Sequence, residues 1–316
     1  MGMGYTVPAA SKARALIIYL LDVSGSMGED LGGKPKIEVV SDALHQVAVR
    51  MVQRSTKGTT VAPRYRIAMY AYSSQVTDLL GGIKTIAELA QMGVPRLQPM
   101  DATDTASAFR EAERLLKAEL GNLQDSPAPL VCHMTDGEYN QGGDPEPVAR
   151  RIMQMSVPDG NVLIENIFVT DKALTQPIND PKEWEGITPE TPLASPYAET
   201  LFRMSSPIPP TYRSVMAEMG YKLSHGAHMF FPGNAPEIVE LGFAMSGATP
   251  VTLTGRAGLI ALLCALPITL SPDPASIFVV LLALLAAAVA IDVALAGSPR
   301  ALRLSRSGPT SARLGQ

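Results

Sequence analysis

Asp22-Val23-Ser24-Gly25-Ser26 follows an apolar run, Ala15 to Leu21, in a chain of 316 residues. A buried strand ending on a carboxylate and two hydroxyls presents hard oxygen ligands, which suit a divalent cation such as Mg²⁺, with Mn²⁺ and Ca²⁺ as alternatives. Two more segments carry the same chemistry. Asp101-Ala102-Thr103-Asp104-Thr105 precedes a helical pattern, and Thr135-Asp136-Gly137-Glu138 directly follows the apolar run Leu130 to Met134. On a parallel sheet each segment falls at the C-terminal end of a strand or the start of a helix, where open α/β sheets bind ligands. The histidines offer no competing site. His225 and His228 lack the spacing of a helix-borne zinc pair, and His45 and His133 read as structural or surface residues.

The elements that must position these loops are visible as alternating periodicities. Strands are expected at Ala15 to Leu21, Tyr65 to Tyr72, Leu130 to Met134 and Val162 to Val169, with Val76 to Leu80 as a short hairpin edge. Ile37, Val40, Leu44, Val47, Ala48 and Met51 fall at helical spacing, as do Phe109, Ala112, Leu115 and Leu116. Strand alternating with helix implies an α/β, doubly wound, mostly parallel sheet covered on both faces. Six prolines between 171 and 208 argue against regular structure there, so this stretch reads as an insertion. The pattern then resumes with a helix over Tyr212 to Met219, a short strand at His228 to Phe231 and a closing helix from Pro236 to Met245.

Composition separates two parts. Residues 1–250 hold 21 basic and 28 acidic side chains, a balance of −7, whereas residues 251–316 hold five arginines and two aspartates, a balance of +3. The acidic part argues against nucleic acid as the main partner. The two cysteines, Cys132 and Cys264, exclude a disulfide framework and point to a reducing compartment. Lys12 and Arg14 precede an apolar run, but it is short, meets Asp22 and carries no small-residue cleavage pattern, so it does not read as a signal peptide.

The three loops together resemble a von Willebrand factor type A (VWA) domain, whose metal-ion-dependent adhesion site carries D-x-S-x-S, then a Thr, then an Asp in a T-D-G setting. Asp22, Ser24 and Ser26 match the first element, Thr103 the second and Asp136 the third. The resemblance covers about residues 14–247. It implies Ser24, Ser26 and Thr103 as hydroxyl ligands, with Asp22 and Asp136 binding directly or through water. It also implies an open coordination position for an Asp or Glu of a partner protein. The chain departs from the pattern at Asp101, where many members have glycine, and Asp104 adds a further carboxylate. Both read as helix N-terminal residues favoured by the dipole, the alternative being extra metal affinity. Glu138 reads as surface charge rather than as a ligand.

The tail has another character. Residues 257–270 and 275–291 are uncharged, fourteen and seventeen in number, separated by Ser271-Pro272-Asp273-Pro274. The second is near the length that spans a bilayer, and the first reaches it by extension back through Val251 with Arg256 snorkelling. Arg256 before the pair and Arg300, Arg303, Arg306 and Arg313 after it place both ends in the cytoplasm. The expectation is a transmembrane helical hairpin over 251–298, the alternative being a buried helical pair. The tail is similar to the membrane hairpin of an uncharacterised bacterial family whose genes often neighbour MoxR-type AAA+ ATPases. There a β-rich domain follows, so the expectation here is a fusion or a truncated frame. The expected organisation is an N-terminal extension (1–13), a VWA domain (14–247) with an insertion (171–208), two membrane helices (251–298) and a basic cytoplasmic tail (299–316).

The leading expectation is a non-enzymatic, metal-dependent protein-binding module tethered to the inner face of a bacterial membrane. An AAA+ ATPase complex is the client that the resemblance implies. A Mg²⁺-dependent phosphohydrolase with Asp22 as nucleophile is the second reading. It lacks an Asp at position 24, a phosphate-binding loop and a nucleophile elbow. A third is a scaffold in which the metal only stiffens the loops.

Overall fold

The computed structural model describes residues 4–250 except 101, 171 and 177. Seven strands form its main sheet: Ala15–Asp22 (β1), Tyr65–Tyr72 (β2), Val76–Asp78 (β3), Lys84–Thr85 (β4), Leu130–Thr135 (β5), Leu163–Phe168 (β6) and Phe230–Pro232 (β7). Their order is β7-β6-β5-β1-β2-β3, with β4 also paired to β2. The pairs β1–β2, β1–β5, β5–β6 and β6–β7 are parallel, and β3 and β4 run antiparallel on the outer edge of β2.

All eight residues of β1 are buried, because helices cover both faces of the sheet. The period of two divides them. Ile17, Tyr19 and Leu21 pack with residues of Lys36–Ser55 (α1), Ile86–Met92 (α2), Pro210–Glu218 (α6) and Pro236–Ser246 (α7). Leu16, Ile18 and Leu20 pack with Thr105–Glu119 (α3) and Glu146–Gln154 (α4). Each fully buried aliphatic side chain contributes ~1.5–3 kcal/mol, so the central strand is fixed in register from both sides.

The expected strand and helix alternation is present, and β2 has the bounds read from sequence. Three helices went unread: α2, α4 and Pro196–Arg203 (α5). The last corrects the expectation that residues 171–208 lack regular structure. Pro196 stands at the first position of α5, where its missing N–H costs nothing, and the Ser195 side chain caps the helix by accepting from the Ala198 N–H. The rest of the insertion is held by isolated bridges and by a small apolar cluster of Phe168, Ala173, Ile187, Tyr197, Ala198, Leu201 and Phe230.

The N-terminal segment is strapped to the N-terminal edge of the sheet. Buried Asp159, in the turn before β6, accepts from the N–H groups of Thr6 and Val7 at 2.8 Å and from that of Ala128 at 3.0 Å. The Ala9 N–H donates to the Pro250 carbonyl at 2.7 Å. The hairpin over 251–298 and the basic tail lie outside the described residues. Among the described residues no helix is long and apolar enough to cross a membrane.

Candidate metal centre

β1 is the topological switch point: α1 carries the chain from it to β2 on one side, while β5 lies on the other. Asp22 closes β1, and Asp136 follows β5 directly. The crevice between two diverging connections receives both loops. Ser26 Oγ donates to Asp136 Oδ1 at 2.8 Å, and Ser24 Oγ lies 3.2 Å from Ser26 Oγ. The Ser24 N–H donates to Asp22 Oδ1 at 2.8 Å, and Thr135 Oγ1 donates to Asp22 Oδ2 at 2.6 Å. Four of the five expected ligands, Asp22, Ser24, Ser26 and Asp136, therefore share one hydrogen-bonded cluster.

Thr103 makes no hydrogen bond to this cluster; backbone bonds hold its loop between the other two. The Met100 N–H donates to the Val23 carbonyl at 2.5 Å, and the Asp104 N–H to the Ser73 carbonyl at 2.8 Å. From the other side, the Thr103 N–H donates to Asn140 Oδ1 at 3.0 Å, while the N–H groups of Asn140 and Gln141 donate to the Thr103 carbonyl. The middle loop is thus clasped between the other two. Thr103 is nearly buried, and its hydroxyl makes no hydrogen bond among the described residues. Ala102 holds φ at 59°, a left-handed conformation unusual for a residue with a Cβ, immediately before it.

Asp104 is the N-cap of α3. It accepts from Ser107 N–H at 2.9 Å and Ser107 Oγ at 2.6 Å, the helix-terminal role expected of it. Asp101 lies outside the described residues, and Glu138 is exposed. Gly142, with φ at 76°, lets the third loop close over this cap: a Cβ there would sit 1.7 Å from Asp104 Oδ1.

Residues 17–138 match the family model described as von Willebrand factor type A domain. A VWA-like fold is what this segment carries. The matched stretch contains all five expected ligands, and the mostly parallel sheet with flanking helices is the architecture expected for it. Solved structures similar to the chain include proximal thread matrix protein 1 from the mussel byssus, at 22% identity over 50% of this chain and 38% of that one, with a TM-score of 0.37. The same protein with a zinc-occupied MIDAS motif matches at 21% identity over 50% and 39%, with a TM-score of 0.37. BatB from Bacteroides thetaiotaomicron matches at 13% identity over 73% and 98%, with a TM-score of 0.41. The chain thus spans 38% of the length of the byssus protein. No curated protein sequence matches it.

Three residues of the VWA-like site escaped the sequence reading. Lys36, the first residue of α1, bridges Asp136 Oδ2 at 2.9 Å and Glu29 Oε2 at 2.8 Å. Burial pushes its ammonium down, but the hydrogen bonds and charges of Glu29 and Asp136 outweigh that and hold it above the ordinary lysine value. A signal existed: a cation in the first turn opposes the helix dipole and implies nearby carboxylates. Asn140 is the second, pinning Thr103. Tyr197 of α5 is the third, buried against Phe168 with ring centroids 5.4 Å apart. Burial, then the Asp22 charge, push its phenol well above the ordinary value. The Thr135 and Thr105 hydroxyls lie near enough to oppose that shift without either completing a hydrogen bond to it.

Beneath the site a neutral polar chain crosses the core. Tyr72 Oη donates to His133 Nε2 at 2.7 Å, and His133 Nδ1 donates to Asn166 Oδ1 at 2.7 Å. The Asn166 amide then donates to Ser205 Oγ and the Leu201 carbonyl, which fixes this tautomer. Burial holds His133 down to about 4, so the ring is uncharged, in keeping with the structural role expected of it.

The donor set fits a hard divalent cation. Asp22 is fully buried, and among the described residues no cation pairs with it. Desolvation, only partly opposed by the bonds from Thr135 and Ser24, pushes its carboxyl up to about 6. A buried carboxylate without a counter-ion is costly, and a cation seated among these oxygens removes the cost. The set would offer such a cation two carboxylates, Asp22 and Asp136, with the Ser24 and Ser26 hydroxyls beside them.

Proposed function

We propose that the VWA-like domain is a non-enzymatic protein-binding module whose partner docks through a divalent metal. Asp22, Ser24, Ser26, Thr103 and Asp136 hold the metal, and Mg²⁺ is the physiological choice, with Mn²⁺ or Ca²⁺ as substitutes. With only two carboxylates among uncharged hydroxyls, the bound ion is no more than neutralised by its own ligands, and its open position draws a partner's Asp or Glu. The observation that carries this reading is the convergence of two carboxylates and two serine hydroxyls at the switch point, with Asp22 buried and unpaired. Beside them opens a cavity of about 610 Å³, lined in part by Ser26, Lys36, Asp136, Lys172 and Tyr197.

The test is capture of the partner from extracts of the native host by the immobilised chain. Binding with Mg²⁺, and its loss both in chelator and in Asp22→Ala, is the expected result. Capture by Asp22→Ala at the wild-type level, in Mg²⁺ and in chelator alike, refutes it. An AAA+ ATPase complex is the partner to look for first. We also propose that residues 251–298 tether the module to the inner face of a bacterial membrane. The chain should then stay with the membrane fraction through an alkaline wash, and release by that wash counts against the tether.

The phosphohydrolase reading is the weaker one. Both Asp22 oxygens already accept hydrogen bonds in a buried position, which leaves a nucleophile little room for in-line attack. Turnover of generic phosphoesters with Mg²⁺, lost in Asp22→Asn, would favour it. Thermal stabilisation by Mg²⁺ without any metal-dependent partner would favour the purely structural role.

A further inference from the structure

We propose that Lys36 sets the charge of the metal site and so trades metal affinity for hold on an anionic ligand. This inference rests on the metal-binding reading above. Lys36 stands at the start of α1 with its side chain 11% exposed, and its ammonium lies 2.9 Å from Asp136 Oδ2, a carboxylate with no exposed surface. The other oxygen, Asp136 Oδ1, accepts from Ser26 and faces the serine hydroxyls. One carboxylate of the cage is therefore already neutralised from behind. Its second ionic contact, Glu29, is 69% exposed, so solvent screens that charge and leaves most of the ammonium's effect on the cage.

The charge arithmetic follows. Asp22 and Asp136 contribute two negative charges, Lys36 one positive and a divalent ion two positive, while the serines and Thr103 contribute none. The loaded cage then carries a net charge of about +1, where the same cage without the ammonium is neutral. Lys36 has two effects of opposite sign. It repels the incoming cation, since it already occupies part of the field of Asp136, and it leaves the bound cation more attractive to a carboxylate. In the absence of metal it also keeps Asp136 from being a second uncompensated buried anion. The helix dipole adds to the same positive field, because α1 points its N-terminus at the site.

Opposite signs make the inference testable apart from any structural role. The full chain is titrated with Mn²⁺ alone, followed by electron paramagnetic resonance, as wild type, Lys36→Met, Lys36→Gln and Lys36→Arg. The charge-neutral variants should bind Mn²⁺ roughly tenfold more tightly, and the arginine variant should match wild type. Acetate is then added to the Mn²⁺-loaded forms. Broadening of its methyl proton signal per bound Mn²⁺ should fall at least several-fold in the neutral variants and persist in Lys36→Arg. Lys36→Gln keeps a polar tip against Asp136 and carries the test where Lys36→Met does not fold. Unchanged or weaker Mn²⁺ binding in a neutral variant that melts like wild type overturns the role of Lys36 and leaves the metal reading standing. Absence of Mn²⁺ binding in wild type and variants alike overturns both.

Discussion

Replacing Asp22 with asparagine should stabilise the metal-free protein and destabilise the metal-loaded one. Burial raises the Asp22 carboxyl from 3.8 to about 6 in the folded chain. Below 3.8 the group is protonated in folded and unfolded chains alike, and it costs nothing. As pH climbs towards 6 the unfolded chain loses its proton first, so stability falls, and above 6 the loss is complete. At ~1.4 kcal/mol per pH unit the full cost is ~3 kcal/mol, which a neutral amide avoids. The hydrogen bonds survive the exchange: Thr135 Oγ1 lies 3.0 Å from the Gly137 carbonyl, so it can accept from the new amide and donate there instead. In chelator at pH 7, Asp22→Asn should melt ~6–12 °C above wild type. In Mg²⁺ at a thousandfold excess over Kd, wild type gains ~4 kcal/mol and the order reverses. Differential scanning fluorimetry of both forms in EDTA and in Mg²⁺ reads the two signs directly. Equal melting in EDTA, or an equal response to Mg²⁺, would refute the view of Asp22 as a buried anion that lacks its cation.

Three further outcomes are expected. Glu165 is fully buried, neither of its oxygens accepts a hydrogen bond among the described residues, and desolvation raises its carboxyl well above 4.5. The folded chain therefore binds the extra proton, and urea unfolding across pH 5 to 8 should show wild type losing stability relative to Glu165→Gln by ~1.4 kcal/mol per pH unit while pH stays below the folded value. Asp159→Ala strands the N–H groups of Thr6, Val7 and Ala128 and should cost ~2–4 kcal/mol, with faster hydrogen exchange over residues 5–9 and an unchanged Mn²⁺ affinity. Gly142→Ala must push the third loop off Asp104 and meet an unfavourable φ of 76°, so Mn²⁺ titration should show binding weakened by roughly tenfold while the far-ultraviolet spectrum stays native.

The sheet was legible wherever burial on both faces forced a continuous apolar run. β1 is such a run, β2 and β5 are broken only by Arg66 and His133, and β6 keeps apolar residues around its Glu165-Asn166 pair; β1 and β5 lead into the polar residues that define the site. The Asp104 cap was also legible, because a carboxylate before a helical pattern has a local use. What stayed hidden was set by contacts distant along the chain. Lys36 meets Asp136 across a hundred positions, and Asn140 meets Thr103 across 37. No periodicity encodes such pairs. α4 and α5 are nine and eight residues long and each contains a proline, so they offer too few turns to separate from loop. Tyr197 was invisible for the same reason: its use depends on α5 delivering it to the wall of the cavity beside Ser26 and Asp136.

The bond between the Ala9 N–H and the Pro250 carbonyl has a practical outcome. Together with the Asp159 strap it brings both ends of the described domain to one pole, the edge at which the parallel strands begin. Asp22 and Asp136 occupy the antipode, where those strands finish. A tag, bead or fused protein joined at either end should therefore hold the domain by its base and leave the oxygen cage unobstructed. A short linker joining position 250 to position 9 should likewise permit a circular permutant with new ends in an exposed loop such as Gly58–Thr59.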